Sequence, residues 1–106
     1  MKIIETPIFT KQVEELLDRE DYRRLQIELV IRPAAGKIIQ GSGGLRKIRW
    51  KGSGRGKRGG TRIIYYWFKG KDTLLMLLIY PKNVRDDLTT KQLKVLKSLV
   101  EKEFDE

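Results

Sequence analysis

Residues 61–80, TRIIYYWFKGKDTLLMLLIY, decide the fold. This stretch contains two runs of β-branched, aromatic and aliphatic residues, 61–68 and 73–80, joined by the polar turn KGKD. Runs of this kind that flank a short polar turn predict two antiparallel strands paired as a β-hairpin. Because both runs are apolar almost throughout rather than alternating, we expect central strands that are covered on both faces of the sheet.

Two further strands are predicted immediately before this hairpin. The segments KIIQ (37–40) and LRKIRW (45–50) are separated by the glycine-rich turn GSGG. The second segment alternates polar and apolar residues, and alternate residues of a strand point to opposite faces of its sheet. Lys47 and Arg49 therefore share one face of the predicted sheet, and the apolar residues beside them take the other.

Helices are predicted on both sides of this strand region. After a short N-terminal strand, Thr6 and Pro7 are typical of a helix N-cap followed by proline at the first helical position. A second amphipathic helix starts near Asp18 or Asp21 and ends before Pro33. At the other end of the chain, an apolar helical stripe follows a capping-box pattern.

The order β-α-α-β-β-β-β-α predicts an α+β fold. We expect an N-terminal helical hairpin packed on an antiparallel sheet with a C-terminal helix. The length of 106 residues, with no repeat or linker, favours a single domain spanning residues 1–106.

The composition excludes several classes of protein. The chain contains no Cys and no His, which removes disulfides, thiolate metal sites and the usual acid–base group of enzymes. Neither apolar run approaches the roughly 18 residues of a membrane span. The first residues, MKIIETP, lack the pattern of a signal peptide. We therefore expect an intracellular, cytoplasmic protein.

The net charge of +9 is concentrated in one segment. Residues 29–71 contain twelve Lys and Arg and no Asp or Glu, so the remainder of the chain is net acidic. A one-sided positive field favours a polyanionic partner, most often nucleic acid. The alternative, charge that serves only solubility, normally mixes both signs, as residues 11–28 do.

The densest part of this segment is RKIRWKGSGRGKRGG, residues 46–60, with seven Lys or Arg and five Gly. Its loop, residues 51–60, could instead be a flexible surface hairpin loop that is basic by chance, and it lacks the spacing of a nucleotide-binding P-loop. Further cations flank it, because Arg62 opens the next strand and Lys82 follows the last one. An antiparallel sheet would bring such groups within about 5–8 Å of Lys47 and Arg49. Clustered cations repel one another, which favours a bound phosphate.

The runs GGLRKIR (43–49), KRGGTRIIYY (57–66) and YPKN (80–83) resemble the RelE/HigB-type toxins of bacterial toxin–antitoxin modules. The resemblance covers nearly the whole chain and implies a small α+β fold similar to microbial ribonucleases. It implies a metal-independent endoribonuclease that cleaves mRNA, typically in the ribosomal A site, with no cofactor. The implied partners are a cognate antitoxin with a helix-turn-helix, operator DNA through that antitoxin, and mRNA on the ribosome, with no membrane.

By motif position, the resemblance implies a catalytic set of Lys47, Arg49, Arg62 and Lys82. We expect Lys47 to deprotonate the 2′-OH, because neighbouring cations should lower its pKa. Arg49 and Arg62 suit bidentate binding of phosphate oxygens, and Lys82 would stabilise charge or protonate the leaving oxygen. We expect alanine at Lys47 or at Arg62 to keep the fold and to remove cleavage and growth inhibition.

Proton transfer has more than one candidate. Asn83 stands where many members of the resembling family have Arg, and Thr89 stands about where some have a catalytic Tyr. Asp86 and Asp87 are alternative bases, or else favourable charges near the N-terminus of the last helix.

Further residues are expected to bind the RNA around the cleaved bond. Cationic side chains would hold flanking phosphates with a strongly salt-dependent affinity, and one tyrosine would stack on a base. The predicted RNA-binding residues are Arg46, Lys51, Arg55, Lys57, Arg58, Tyr80 and Asn83.

Two other functions fit the composition. A non-catalytic RNA- or ribosome-binding module would bind RNA without cutting it, and from composition alone this interpretation ranks first. An interaction domain whose basic face binds an acidic protein would have negligible RNA binding. With the resemblance, the endoribonuclease interpretation leads.

Overall fold

The computed structural model describes residues 1–51, 60–84 and 87–104. Within those ranges the helices and strands follow the predicted order, and a 3₁₀ turn, Lys69–Lys71, joins the two strands of the hairpin. No helix in these ranges is long and apolar enough to cross a membrane. The elements are β1 (Lys2–Glu5), α1 (Pro7–Leu16), α2 (Arg19–Ile31), β2 (Lys37–Ile38), β3 (Arg46–Trp50), β4 (Thr61–Phe68), β5 (Thr73–Pro81) and α3 (Thr90–Phe104).

The strands form one sheet in the order β1-β5-β4-β3-β2. The last four strands of the chain pair antiparallel, which confirms the predicted hairpin. β1 instead runs parallel to β5, with Ile3 opposite Leu74, so the sheet is mixed where the sequence predicted an antiparallel one. β1 ends at Glu5 and β5 begins at Thr73, so no tight turn sets their relative direction.

Helices cover both faces of the sheet. Ile63 and Tyr65 of β4 pack with buried residues of α1 and α2 in a first core. Ile64 of the same strand packs on the opposite face in a second core, with Leu96 and Val100 of α3. The predicted α+β class, helical hairpin, C-terminal helix and doubly covered central strands are therefore confirmed.

Side-chain caps define where the helices begin. A Thr6 oxygen accepts a hydrogen bond from the first turn of α1. Asp18 does the same for α2 through the backbone N–H of Asp21, which decides between the two predicted starts. Before α3, the Thr89 N–H donates to Gln92 Oε1 at 2.8 Å and the Gln92 N–H donates to Thr89 Oγ1 at 3.1 Å. This reciprocal pair confirms the capping box.

A change of register in the hairpin decides which side chains of β5 face α3. Ile64 of β4 is opposite Leu78, whereas the next residue of β4 is opposite Met76, so Leu77 is an extra residue in β5. Such a β-bulge inverts the alternation of the strand beyond it. Tyr80 consequently lies on the α3 side, in the second core.

Tyr65 links the sheet to the segment between α2 and β2. Its side chain is fully buried, and its hydroxyl donates to the Pro33 carbonyl oxygen at 2.7 Å and accepts from the Gly36 N–H at 2.8 Å. Tyr65→Phe removes both hydrogen bonds and leaves two backbone groups without their partner. We expect the free energy of unfolding to fall by about 1–3 kcal/mol.

Urea unfolding measures this loss. Tyr66→Phe is the matched control, because the Tyr66 hydroxyl forms no hydrogen bond within the described part of the chain. Equal stability of the two variants would contradict a structural role for the Tyr65 hydroxyl.

Candidate functional site

The sheet register brings three of the predicted cations to one place. Arg49 of β3 lies directly opposite Arg62 of β4, and Arg62 lies opposite Tyr80 of β5. Directly opposed residues share a face, with Cβ atoms about 4.5–5.5 Å apart. Lys47 lies two residues before Arg49 and opposite Ile64, on the same face. The three cations therefore share one face of the sheet, and α3 covers the other end of that same face.

The members of this cationic cluster, Lys47, Arg49 and Arg62, differ in exposure. Arg62 is only 1% exposed, the Lys47 side chain is 26% exposed, and Arg49 is exposed. Arg62 therefore forms the floor of the cluster and Arg49 its rim. Because Arg62 is an interior side chain, we now expect alanine there to destabilise the fold, unlike the expectation from the sequence. Its removal would leave a cavity.

The end of β5 lies beside the start of β4. The Lys82 N–H donates to the carbonyl oxygen of Gly60 at 3.3 Å. Gly60 is two residues before Arg62 in the sequence. Lys82 and Asn83 are both exposed in the turn that follows β5, and Lys51 is exposed directly after β3. Three further predicted residues thus lie at the same end of the sheet as the cationic cluster.

A carboxylate belongs to the site as well. Lys47 Nζ donates to Asp87 Oδ1 at 2.7 Å. This hydrogen bond, the charge of Lys47 and the more distant charge of Arg62 hold the pKa of the Asp87 carboxyl below its usual value. The pair lies at a pocket of about 230 Å³, whose lining residues are Ile39, Gln40, Lys47, Ile64, Tyr80, Asp87, Leu88 and Leu93.

Two predicted RNA-binding residues have other positions. Arg46 lies on the opposite face from Lys47, where its Nη1 donates to the carbonyl oxygens of Gly36 at 2.7 Å and of Ala34 at 3.3 Å. Strand alternation could have placed it there. Tyr80 is only 6% exposed and packs in the second core, so it forms a pocket wall rather than an open surface for base stacking.

Other predicted residues lie outside the part of the chain that the structure describes. These are Arg55, Lys57, Arg58 and Asp86.

Sequence reasoning missed the Lys47–Asp87 contact and the close approach at Gly60. The two paired residues are forty positions apart, so no local pattern relates them. Gly60 has φ +68°, and a Cβ built there would lie 2.5 Å from the Trp50 carbonyl oxygen. The glycine pair before β4 was a possible signal for this constraint.

The arrangement suits a phosphodiester. Arg49 and Arg62 offer forked donors, which match phosphate oxygens, and Lys47 adds an ammonium on the same face. Like charges directly opposed across strands are destabilising unless an anion lies between them. Among the described residues, no three potential metal-binding side chains of the His, Cys, Asp and Glu types come together.

Comparison with known proteins gives a family and a fold. A family model described as the RelE toxin of the RelE/RelB toxin–antitoxin system matches residues 1–105. The free-state structure of a doubly substituted E. coli toxin RelE is similar, with a TM-score of 0.63 and 14% identity over 93% of this chain and 95% of that chain. A chain of the intact E. coli RelBE toxin–antitoxin complex has a TM-score of 0.58 and 18% identity, covering 74% of this chain and 92% of that chain. At these identities the structural likeness shows the fold alone.

Proposed function

The chain belongs to the family of RelE toxins of the RelE/RelB toxin–antitoxin system, and we propose that it is an endoribonuclease that cleaves mRNA on the ribosome. Cutting the message stops its translation, which would account for growth inhibition by the toxin. The observation that supports this proposal most directly is the shared sheet face of Lys47, Arg49 and Arg62. A site of this kind binds the bond to be broken through its phosphate.

Cleavage of RNA requires three tasks from the protein. The 2′-OH has to lose its proton, the charge that grows on the phosphate has to be stabilised, and the leaving 5′-oxygen has to gain a proton. The 2′-oxygen then bonds to phosphorus as the bond from phosphorus to the 5′-oxygen breaks. We propose that side chains of this chain perform these tasks without a metal ion.

Phosphate stabilisation is assigned to the two opposed arginines. Arg49 approaches the phosphate from the exposed rim, and Arg62 supports it from the buried floor. Charge–charge and hydrogen-bond interactions are stronger at such a partly water-excluded position than in open solvent. Lys82 lies beside the start of β4. We assign to it either stabilisation of the charge on the leaving oxygen or donation of a proton to that oxygen.

The base has two candidates, Lys47 and Asp87. In the free protein the Lys47 ammonium donates to the Asp87 carboxylate. Lys47 can therefore act as the base only after this contact has opened. Thr89 is not available in place of the family's tyrosine, since its hydroxyl caps α3.

We also propose a cognate antitoxin as the protein partner. Support comes from the family and from the likeness to a chain of the RelBE complex. The antitoxin would carry the helix-turn-helix, so contact with operator DNA would be indirect.

A translation extract that contains a defined mRNA tests the proposed function. Wild-type protein is expected to generate new mRNA ends, and Arg49→Ala to lower their rate of formation about a hundredfold, as for loss of one transition-state donor. Arg49 is exposed, so this variant should unfold at the same urea concentration as wild type.

Arg23→Ala is the matched control, because Arg23 is an exposed arginine on α2, away from the site. Equal activity of the Arg49 and Arg23 variants would refute the site. Wild-type protein that binds ribosomes but leaves the mRNA intact would instead support a non-catalytic RNA-binding module.

A further inference from the structure

Asp87 lies in the short segment between β5 and α3, at the mouth of the pocket next to the cationic cluster. Its side chain is 77% exposed, yet its Oδ1 forms a 2.7 Å ion pair with the Nζ of Lys47, whose side chain is only 26% exposed. Its carboxylate faces the cluster, with Lys47 of β3 nearest and Arg62 of β4 farther away.

A structural role does not account for this contact. Exposed ion pairs add little to the stability of a fold. Helix α3 is already capped by Thr89 and Gln92, and Asp87 precedes its first residue by three positions, where the effect of the helix dipole is weak. The contact is therefore better explained by what Lys47 binds.

Carboxylate and phosphate oxygens bind an ammonium in the same way. An exposed Asp carboxyl is ionised at neutral pH, and the contact with Lys47 lowers the pKa of Asp87 further, so the carboxylate is present as a competitor. An RNA phosphate that reaches Lys47 has to replace it. Asp87 is exposed and lies outside helix and strand, so the side chain can turn away without disturbing either core.

We propose that Asp87 is an internal competitor of the substrate: its carboxylate occupies the Lys47 ammonium in the free protein and is displaced when RNA phosphate binds. This inference rests on the proposed function. The competition would make the site selective among anions. A phosphate that contacts Lys47 alone does not compensate for loss of the Lys47–Asp87 ion pair, whereas an RNA backbone that also binds Arg49 and Arg62 does.

Binding of a fluorescent single-stranded oligodeoxynucleotide tests the competition. The probe has the phosphate backbone but no 2′-OH, so it is not cleaved, and fluorescence anisotropy reports its affinity. Asp87→Asn is expected to bind about two- to fivefold more tightly than wild type, the range that corresponds to loss of one exposed ion pair.

Two controls separate the pair from a general change of charge. Glu101→Gln removes one exposed carboxylate about three turns along α3 and is expected to leave the affinity close to that of wild type. In a Lys47→Ala background, Asp87→Asn is expected to lose its effect. A gain of the same size in that background, or affinity that is unchanged or weaker in Asp87→Asn, would overturn the proposal. Unchanged binding combined with lost cleavage would identify Asp87 as the base instead.

A second measurement does not depend on nucleic acid. Carboxyl ¹³C NMR is expected to show Asp87 of the wild-type protein titrating below the ordinary range, and within it in Lys47→Ala. Identical titrations would show that the pair does not form, which also overturns the proposal. Failure of the proposed function is seen separately, as wild-type protein that leaves mRNA intact in the translation extract.

Discussion

Arg62→Ala is expected to lower mRNA cleavage about a thousandfold, the upper end of the effect of removing one donor to a developing anion. Arg62 lies on the floor of the cationic cluster and is only 1% exposed. Its truncation also removes a large interior side chain, so we expect the free energy of unfolding to fall by about 2–4 kcal/mol. Cleavage assays and urea unfolding measure the two effects separately.

A second variant keeps this prediction testable if Arg62→Ala does not fold. Arg62→Lys retains the positive charge and most of the volume but loses the planar fork of the guanidinium. We expect it to remain folded and to lose about ten- to hundredfold of the cleavage rate. Full activity of Arg62→Lys would exclude bidentate phosphate binding by this residue.

The neighbouring arginines of β3 provide matched comparisons. Arg46→Ala removes two hydrogen bonds to backbone carbonyls on the other face of the sheet, so we expect a loss of about 1–2 kcal/mol in stability with cleavage retained. Arg49→Ala is expected to show the reverse pattern. If Arg46→Ala abolished cleavage in a folded protein, the assignment of the site to one sheet face would be wrong.

Gly60→Ala is expected to destabilise the protein by about 2–4 kcal/mol. This value is the sum of two costs, that of placing a residue with a Cβ in the left-handed backbone region and that of a steric conflict. Gly60 has φ +68°, and an added Cβ would lie 2.5 Å from the Trp50 carbonyl oxygen. That oxygen is backbone at the end of β3, so it cannot move without disturbing the pairing of Trp50 with Thr61.

The same substitution should reduce cleavage in the molecules that remain folded, because the Gly60 carbonyl oxygen accepts the Lys82 N–H and so holds the turn after β5 against β4. Urea unfolding and the mRNA cleavage assay measure the two effects. Gly41→Ala is the control: φ there is +74°, but apart from its chain neighbours no described residue lies within 4 Å of the added Cβ. Only the backbone cost of about 1–2 kcal/mol is then expected. Equal losses for the two variants would exclude the steric conflict at Gly60.

Most of the secondary structure could be predicted from local patterns. The hairpin strands, the caps at Thr6 and Thr89, and the shared face of Lys47 and Arg49 all follow from spacing of two or of three to four residues. The parallel pairing of β1 with β5 could not be predicted, because it depends on contacts between residues far apart in the chain, such as Lys2 and Thr73.

The candidate site was predictable only in part. Strand alternation places Lys47 and Arg49 together, but the partner of Arg49 across the sheet depends on the register of β3 against β4. The position of Tyr80 depends on a one-residue bulge at Leu77, and a shift of one residue sends every later side chain to the other face. The sequence assigned both Arg46 and Tyr80 to RNA binding, whereas Arg46 lies on the opposite sheet face from Lys47 and Tyr80 packs in the second core.

The order of residues alone is enough to specify an α+β chain with a concentrated positive segment and two cations on one strand face. Those properties depend on residues that are close together in the sequence, because the periodicity of a helix or strand sets the relative positions of such residues. Which arginine is buried, which faces another, and which carboxylate reaches Lys47 are decided by contacts between residues far apart in the chain. Such contacts are chosen by the packing of two cores against a single sheet, and no short stretch of sequence contains that information.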